Sequence, residues 1–281
     1  DTRPKNFSEL VRISGFSHGT DVWLNNAQDL IRSGTVKLEE AISTRDDVMN
    51  YLIEHGVRPL TAFKVMENVR KGKGLEKGGS NNKAELDAAH VPQWFIDSCL
   101  KIGYLFPRAH AVAYVMMAFR IAWFKVYQPL AYYAAYFTIR AEGSFNAPVI
   151  LKGLESQKAE LARIAALEHS TAVEKGNATV IEVAAEMYLR GMEFLPIDLD
   201  RSDASEFKMV DGKLLPPFNC IPALGDAVAK EIVRARDEHL FTSKEDLKKR
   251  GKVSQSIIDT MDSMGILKNM PDEEQISLFS F

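Results

Sequence analysis

The sequence predicts a mainly α-helical protein, with one helical domain followed by a second, mostly helical domain that carries a small β-hairpin. Three observations predict it. After Pro107 the apolar residues Val112, Val115, Met116, Phe119, Ala122, Trp123 and Val126 recur at three- and four-residue spacing, which is the period of a helix face. Phe207-Lys208-Met209-Val210 and Lys213-Leu214-Leu215 flank Asp211-Gly212, a dipeptide suited to closing a two-residue hairpin. Past Glu142-Gly143 the aromatic residues thin out and two amphipathic helices follow, near 149–167 and 179–190.

The 281 residues suffice for two domains with cores of their own. With 46% hydrophobic and 26% charged residues, the composition is that of an ordinary soluble globular protein. A formal charge of -3 is no footprint of a nucleic-acid binder. Binding depends on where cations sit, however, and a net sum hides local patches, so DNA is neither supported nor excluded. The two cysteines, Cys99 and Cys220, are far apart among apolar residues, as expected of buried free thiols in a reducing cytoplasm. The six histidines never fall at metal-ligand spacing. Arg120, Lys125 and Pro129 are expected to interrupt the apolar stretch after His110 before it reaches the roughly 20 residues of a membrane span. No membrane partner is expected. The polar start with Pro4 is no signal peptide, and the absence of an initiator Met leads us to expect a piece of a longer protein.

Taken in order, residues 7–13 begin a short helix and 14–21 read as a polar, glycine-punctuated loop. Ser17 and His18 there are candidates for binding; a capping loop with Thr20 or Asp21 as N-cap is the other reading. Short amphipathic pieces follow at 38–42 and 46–54, stopped by His55-Gly56. The helix at 60–69 finishes in Val69-Arg70-Lys71-Gly72-Lys73-Gly74, three cations alternating with glycines. Missing side chains let phosphates approach the backbone, although the run lacks P-loop spacing and also fits a solvated helix exit. Residues 75–83 have linker composition. The helix after Pro107 should be well buried and ended by Pro129. Its first turn carries Arg108, His110 and Tyr114 beside open N–H groups that favour an anion; alternatively His110 and Tyr114 are satisfied core residues. A Tyr- and Ala-rich helix at 130–139 should pack against it.

Phe106-Pro107-Arg108-Ala109-His110-Ala111-Val112-Ala113-Tyr114 resembles the fingers helix of C-family bacterial replicative DNA polymerases. The block from Phe7 to Trp23, with Ile13-Ser14-Gly15-Phe16-Ser17-His18-Gly19-Thr20-Asp21, is similar to the PolC-type branch. The likeness covers nearly the whole chain, weakest around 75–90 and 153–178. In the first of these stretches the family tends to a charged helical segment, where this chain has Gly78-Gly79-Ser80-Asn81-Asn82.

The resemblance implies a fingers domain over 1–142, a duplex-binding domain over 143–269 and a tail over 270–281. It implies a DNA-directed DNA polymerase whose palm, thumb and catalytic carboxylates, with their magnesium, belong to another part of the subunit, so no catalytic residue and no metal site is expected here. Ile197-Asp198-Leu199-Asp200 and Asp46-Asp47 are accordingly read as structural. The incoming nucleotide is expected against Ser17, His18, Arg45, Lys64, Arg70, Lys71, Lys73, Phe106, Arg108, His110 and Tyr114.

Asn219 to Ile232 resembles a helix-hairpin-helix, with Ala223 where the motif usually has its first Gly. Such a hairpin feeds a helix start whose N–H donors bind DNA phosphate without reading sequence. Pro222, Leu224, Gly225, Asp226 and Ala227 would form it, with Lys230, Arg234 and Arg236 adding cations. A second, degenerate copy over 243–267 would have Gly251-Lys252-Val253-Ser254 as its hairpin, a plain helical pair being the other reading. Gln275-Ile276-Ser277-Leu278-Phe279 resembles the peptide by which bacterial polymerases bind their sliding clamp, the beta subunit, through Gln275, Leu278 and Phe279. Two other functions are weighed: a helix-hairpin-helix repair glycosylase or lyase, with Lys230 as Schiff-base amine and Asp246 as activating acid, and a non-catalytic adaptor for DNA and clamp.

Overall fold

A computed structural model describes residues 2–76, 81–141 and 143–273. Among them are fourteen α-helices and one two-stranded sheet, the mainly α architecture expected. The chain forms two compact units, Asp1–Ala122 and Trp123–Phe281. The division thus falls inside a long helix, ahead of Gly143, where the composition changes.

In the first unit, α1 (Phe7–His18) opens on Asn6, whose side chain accepts a bond from the Glu9 N–H. It runs straight through Ser14 to His18, residues expected in a loop. Gly15 permits this, because a Cβ there would lie 2.6 Å from the Ser43 carbonyl oxygen. After α2 (Gln28–Arg32), residues 38–40 form a turn and Ala41 a bend where a helical piece over 38–42 was expected. A capping box of Thr44 and Asp47 then starts α3 (Arg45–Glu54). Pro59 takes the first position of α4 (Pro59–Val69), where its missing N–H costs nothing. The linker-like stretch is helical from Asn82, which opens α5 (Asn82–Ala88) and donates to the Leu75 carbonyl at 2.9 Å. Helices α6 (Gln93–Lys101) and α7 (Arg108–Tyr127) complete the unit, around a core that includes Val48, Leu52, Val65, Phe95 and Cys99.

Helix α7 departs most from expectation, since Ala111 is its only buried residue. Phe119, Ile121, Trp123 and Phe124 are among its exposed side chains. The spacing misled because apolar residues occupy every face of this helix, and a helix without a polar face does not reveal which side is covered. Arg120 and Lys125 do not interrupt it either, as a charged side chain leaves the backbone hydrogen bonds intact. By length and composition alone α7 would suffice to cross a membrane.

In the second unit, α8 (Pro129–Arg140) and the single turn α9 (Ala147–Ile150) lead to the paired α10 (Leu154–Ala165) and α11 (Ala172–Leu189). A capping box of Thr171 and Glu174 starts α11 earlier than its apolar spacing suggested. Strands β1 (Lys208–Val210) and β2 (Lys213–Leu215) pair antiparallel, with Lys208 opposite Leu215. Asp211 and Gly212 between them both have positive φ, 52° and 75°, the turn that matches strand twist. Phe194 adds one parallel bridge to Leu214. Phe137, Phe145, Phe194 and Phe207 meet edge to face in the core. The unit continues with α12 (Asp226–Glu238), α13 (Lys244–Arg250) and α14 (Gln255–Ser263).

Candidate functional site

The segment Gly103–Phe106 assembles the site of the first unit. The Tyr104 carbonyl accepts from the Thr20 N–H at 3.0 Å, just past α1, and the Phe106 carbonyl accepts from the Arg45 N–H at 3.1 Å, at the start of α3. The Leu105 N–H donates to the Arg70 carbonyl at 3.3 Å, at the end of α4. The ends of four helices, α1, α3, α4 and α7, are thereby tied to one strand-like segment.

Four rings form a ladder along it. His18 stacks on Phe106 with centroids 4.8 Å apart. Phe106 meets His110 edge-on at 5.1 Å, and His110 meets Tyr114 at 4.7 Å. His18, His110 and Tyr114 are exposed and Phe106 half-buried. His18 lies in the last turn of α1, where its Nδ1 is 2.9 Å from the Ser14 carbonyl oxygen and 3.0 Å from Ser17 Oγ. A carbonyl only accepts, so Nδ1 carries the proton of the neutral ring and Nε2 is left as the acceptor.

The start of α7 is less open than its sequence implied. The Arg108 N–H donates to Asp46 Oδ2 at 2.9 Å, so a carboxylate of the protein itself already occupies the anion position. Asp46 also lies 4.0 Å from Arg45 Nε. Asp47 accepts from the Ser43 and Thr44 N–H and hydroxyl groups and lies 3.5 Å from Arg12 Nη1. Asp46 thus ties α3 to α7, and Asp47 caps the start of α3 and lies 3.9 Å from Arg108 Nη1.

The Arg70 to Gly74 run is not a free phosphate cradle. Arg70 Nη2 and Lys71 Nζ each donate to Glu67 at 2.9 Å. Those bonds hold the Glu67 carboxyl at about 2, below its ordinary value of 4.5. Gly72, at φ +66°, is explained by packing, since a Cβ would stand 2.6 Å from the Gly103 carbonyl oxygen. The Lys73 N–H closes the helix end on the Asn68 carbonyl. Lys64 is exposed on α4 and makes none of the bonds that join the cluster.

In the second unit, two turns share one geometry. Ala223 (φ +65°) and Lys252 (φ +53°) each precede a buried apolar residue, Leu224 and Val253. Gly225 and Ser254 follow as the N-caps of α12 and α14, neither using a side chain to cap. The second copy of the hairpin is therefore present, against the plain helical pair. The Gly225, Asp226 and Ala227 N–H groups have no protein acceptor among the described residues. Pro222 is exposed, whereas the Leu224 side chain is in the core and can contribute only backbone outside it.

The cations beside these hairpins differ in availability. Lys230 is exposed and bonded to nothing among the described residues. Arg234 Nη2 and Lys252 Nζ are both 3.0 Å from Glu231 Oε1. Arg236 is turned inward onto the Ser202 carbonyl oxygen. A 770 Å³ groove adjoins the first hairpin, floored by Phe137 and Phe207 and bordered by Asn177, Glu206 and Asp226.

The lyase reading finds no support in this geometry. Asp246 is buried and accepts from the Thr242 N–H at 3.2 Å and from Arg250 Nη1 at 3.0 Å, which is a helix-start role. Asp198 likewise accepts from the Asp200 and Arg201 N–H groups of its own turn. Among the described residues no three His, Cys, Asp or Glu side chains gather as a metal-binding group. Gln275, Leu278 and Phe279 lie outside the described residues.

Residues 1–90 match the family described as the bacterial DNA polymerase III alpha subunit finger domain, and residues 191–276 match the helix-hairpin-helix motif. The chain is 54% identical over 279 residues to the PolC-type DNA polymerase III of Thermotoga maritima, covering 99% of this chain and 20% of that protein. It is 52% identical over 280 residues to the PolC-type DNA polymerase III of Bacillus subtilis, covering 99% of this chain and 19% of that protein. The protein of the same name from Clostridium perfringens is 50% identical over 280 residues, with coverage of 99% and 19%. The chain thus spans about a fifth of the length of the curated relatives it matches.

Proposed function

The chain belongs to the PolC-type DNA polymerase III family, and from that premise we propose that it serves template-directed DNA synthesis by contacting the incoming nucleotide, the product duplex and the sliding clamp. The observation that carries the nucleotide contact is the meeting of His18, Phe106, His110, Arg45 and Arg108 around the Gly103–Phe106 segment. Exposed rings supply stacking surface for a base pair, and the neighbouring guanidinium groups supply charge for a triphosphate. Arg70, Lys71 and Lys73 follow the end of α4, where the Leu105 N–H donates to the Arg70 carbonyl, and with Lys64 within α4 they would add further charge.

The second unit would hold the primer-template duplex by its backbone. Open N–H groups at Gly225, Asp226 and Ala227 suit phosphate oxygens, and Lys230 adds a cation that releases counterions on binding. Ser254 begins the equivalent helix of the second hairpin. Gln275, Leu278 and Phe279 would tether the subunit to its clamp.

Among the described residues Asp46 and Asp47 are engaged at helix starts and Asp198 in its own turn, and no three His, Cys, Asp or Glu side chains gather as a metal-binding group. In this reading its part is binding and positioning, with phosphoryl-transfer chemistry carried out by the palm of the complete subunit in the cytoplasm, at the nucleoid.

The test is steady-state primer extension by the complete polymerase. Arg108→Ala and His110→Ala should raise the nucleotide KM several-fold; an unchanged KM in both would reject the nucleotide contact. Deleting 275–281 should reduce clamp-dependent processivity and spare single-nucleotide addition. Equal loss of both would reject the tether.

A further inference from the structure

Resting on the duplex-binding reading, we infer that Glu231 sets the strength of the duplex grip: it occupies the cations of both hairpins and keeps them from acting as permanent phosphate ligands. Glu231 lies on α12, one residue past Lys230, and its side chain is only 17% exposed. Lys252 comes from the second hairpin and Arg234 from the next turn of α12, and both point at the same oxygen, Oε1, at 3.0 Å. Arg234 is held a second time by Glu238. Of the cations assigned to phosphate in this unit, only Lys230 is therefore uncompensated.

The cations themselves are accessible, Lys252 being 71% and Arg234 57% exposed. Each can swing to a phosphate, but only by leaving Glu231, and that exchange cancels much of what the new contact gains. A polymerase must let its product duplex slide by one base pair at each addition. A grip made of cations that exchange between an internal carboxylate and successive phosphates suits that movement better than one made of free cations. Glu231 thus distinguishes a sliding hold from a static one.

The magnitude follows from counterion release. Each cation that pairs with duplex phosphate adds about 0.9 to the slope of log affinity against log salt, or about a factor of eight between 1 M and 0.1 M. Glu231→Gln removes the charge, keeps the size, and frees Lys252 fully and Arg234 in part.

The experiment is fluorescence-anisotropy titration of the whole 281-residue chain with a blunt 20-base-pair duplex over a range of salt. Glu231→Gln is expected to bind about 3- to 10-fold tighter at 0.1 M salt, with a slope steeper by about 1 to 2. Glu231→Asp should stay near wild type, and Lys252→Ala in the Gln background should take back most of the gain. Tighter binding that survives Lys252→Ala, or binding by Glu231→Gln no tighter than wild type while Lys230→Ala still weakens it, overturns the role of Glu231 and leaves duplex binding standing. Absence of any salt-dependent binding by wild type overturns both.

Discussion

Asp46 holds the start of α7, its carboxylate accepting the Arg108 N–H at 2.9 Å from the first turn of α3. Together with the bond from the Arg45 N–H to the Phe106 carbonyl, this fixes the two helix starts to each other. Asp46→Ala leaves a helix-end donor without its charged acceptor, and should lower stability by about 1 kcal/mol. Asn, which keeps an acceptor oxygen, should recover about half. Chemical denaturation of the three proteins checks this; equal midpoints would mean that the bond contributes nothing.

The ring ladder leads to a second expectation. Stacking on an aromatic side chain is worth about 1–3 kcal/mol per base, so Phe106→Ala in the complete polymerase should raise the nucleotide KM by at least about 5-fold. Phe106 also supports both histidines, and His110→Phe should therefore retain most of the affinity that His110→Ala loses. Arg70→Ala should have a smaller effect than Arg108→Ala, because Glu67 already engages the Arg70 guanidinium. Larger loss at Arg70 would place the triphosphate at the end of α4 instead.

Local chemistry made much of this legible. Asp211-Gly212 announced its hairpin because few dipeptides tolerate two positive φ values. The rings at 110 and 114 share a face of α7 by their spacing, whereas Phe106 precedes the helix and its place in the ladder depends on the bridge to Thr44. What the sequence hid were long-range partners. Nothing at Arg108 points to Asp46, 62 positions earlier, and nothing at Lys252 points to Glu231. Gly72 was read as space for a phosphate, while the structure fills that space with the backbone of Gly103. Helix α7 failed for a related reason. Apolar spacing reports that a face can be buried, and Phe119 and Trp123 remain uncovered here.

Ala223 offers a test of backbone strain. Its φ of +65° is one that a residue with a Cβ adopts at a cost of about 1–2 kcal/mol, partly offset in Gly by the larger chain entropy lost on folding. Ala223→Gly should stabilise the second unit by up to about 1 kcal/mol, and Ala223→Val should destabilise it. Duplex affinity should not change with Gly, since the N–H groups of Gly225 to Ala227 keep their positions. Thermal melts and duplex titration separate the two effects.

Cys99 and Cys220 are both buried and free, and burial pushes both thiols well above their usual range. The thiolate is the reactive form, so neither should react with a thiol-specific disulfide reagent in the native chain near neutral pH. Both should react once denaturant unfolds their unit. Rapid labelling of either thiol without denaturant would mean that its unit opens readily.

Acid should expose the ion pairs. Glu67, Glu85 and Glu231 are each held at about 2, below an ordinary 4.5, by hydrogen bonds from Arg70, Arg58 and Arg234 respectively. A carboxyl depressed in the folded state contributes stability that is complete above its unfolded value and is lost as pH falls toward the folded one. Melting temperature should therefore hold level down to about pH 5 and decline below about 4.5. All three pairs sit at the surface, where water and salt screen them, so each contribution is small. Raising ionic strength should flatten the acid decline. Combining Glu67→Gln, Glu85→Gln and Glu231→Gln should lower stability slightly at neutral pH and lessen the decline in acid. A triple variant whose acid profile parallels that of wild type would assign the decline to other carboxylates, foremost Glu160, Glu174 and Asp203, which are also held below their ordinary values.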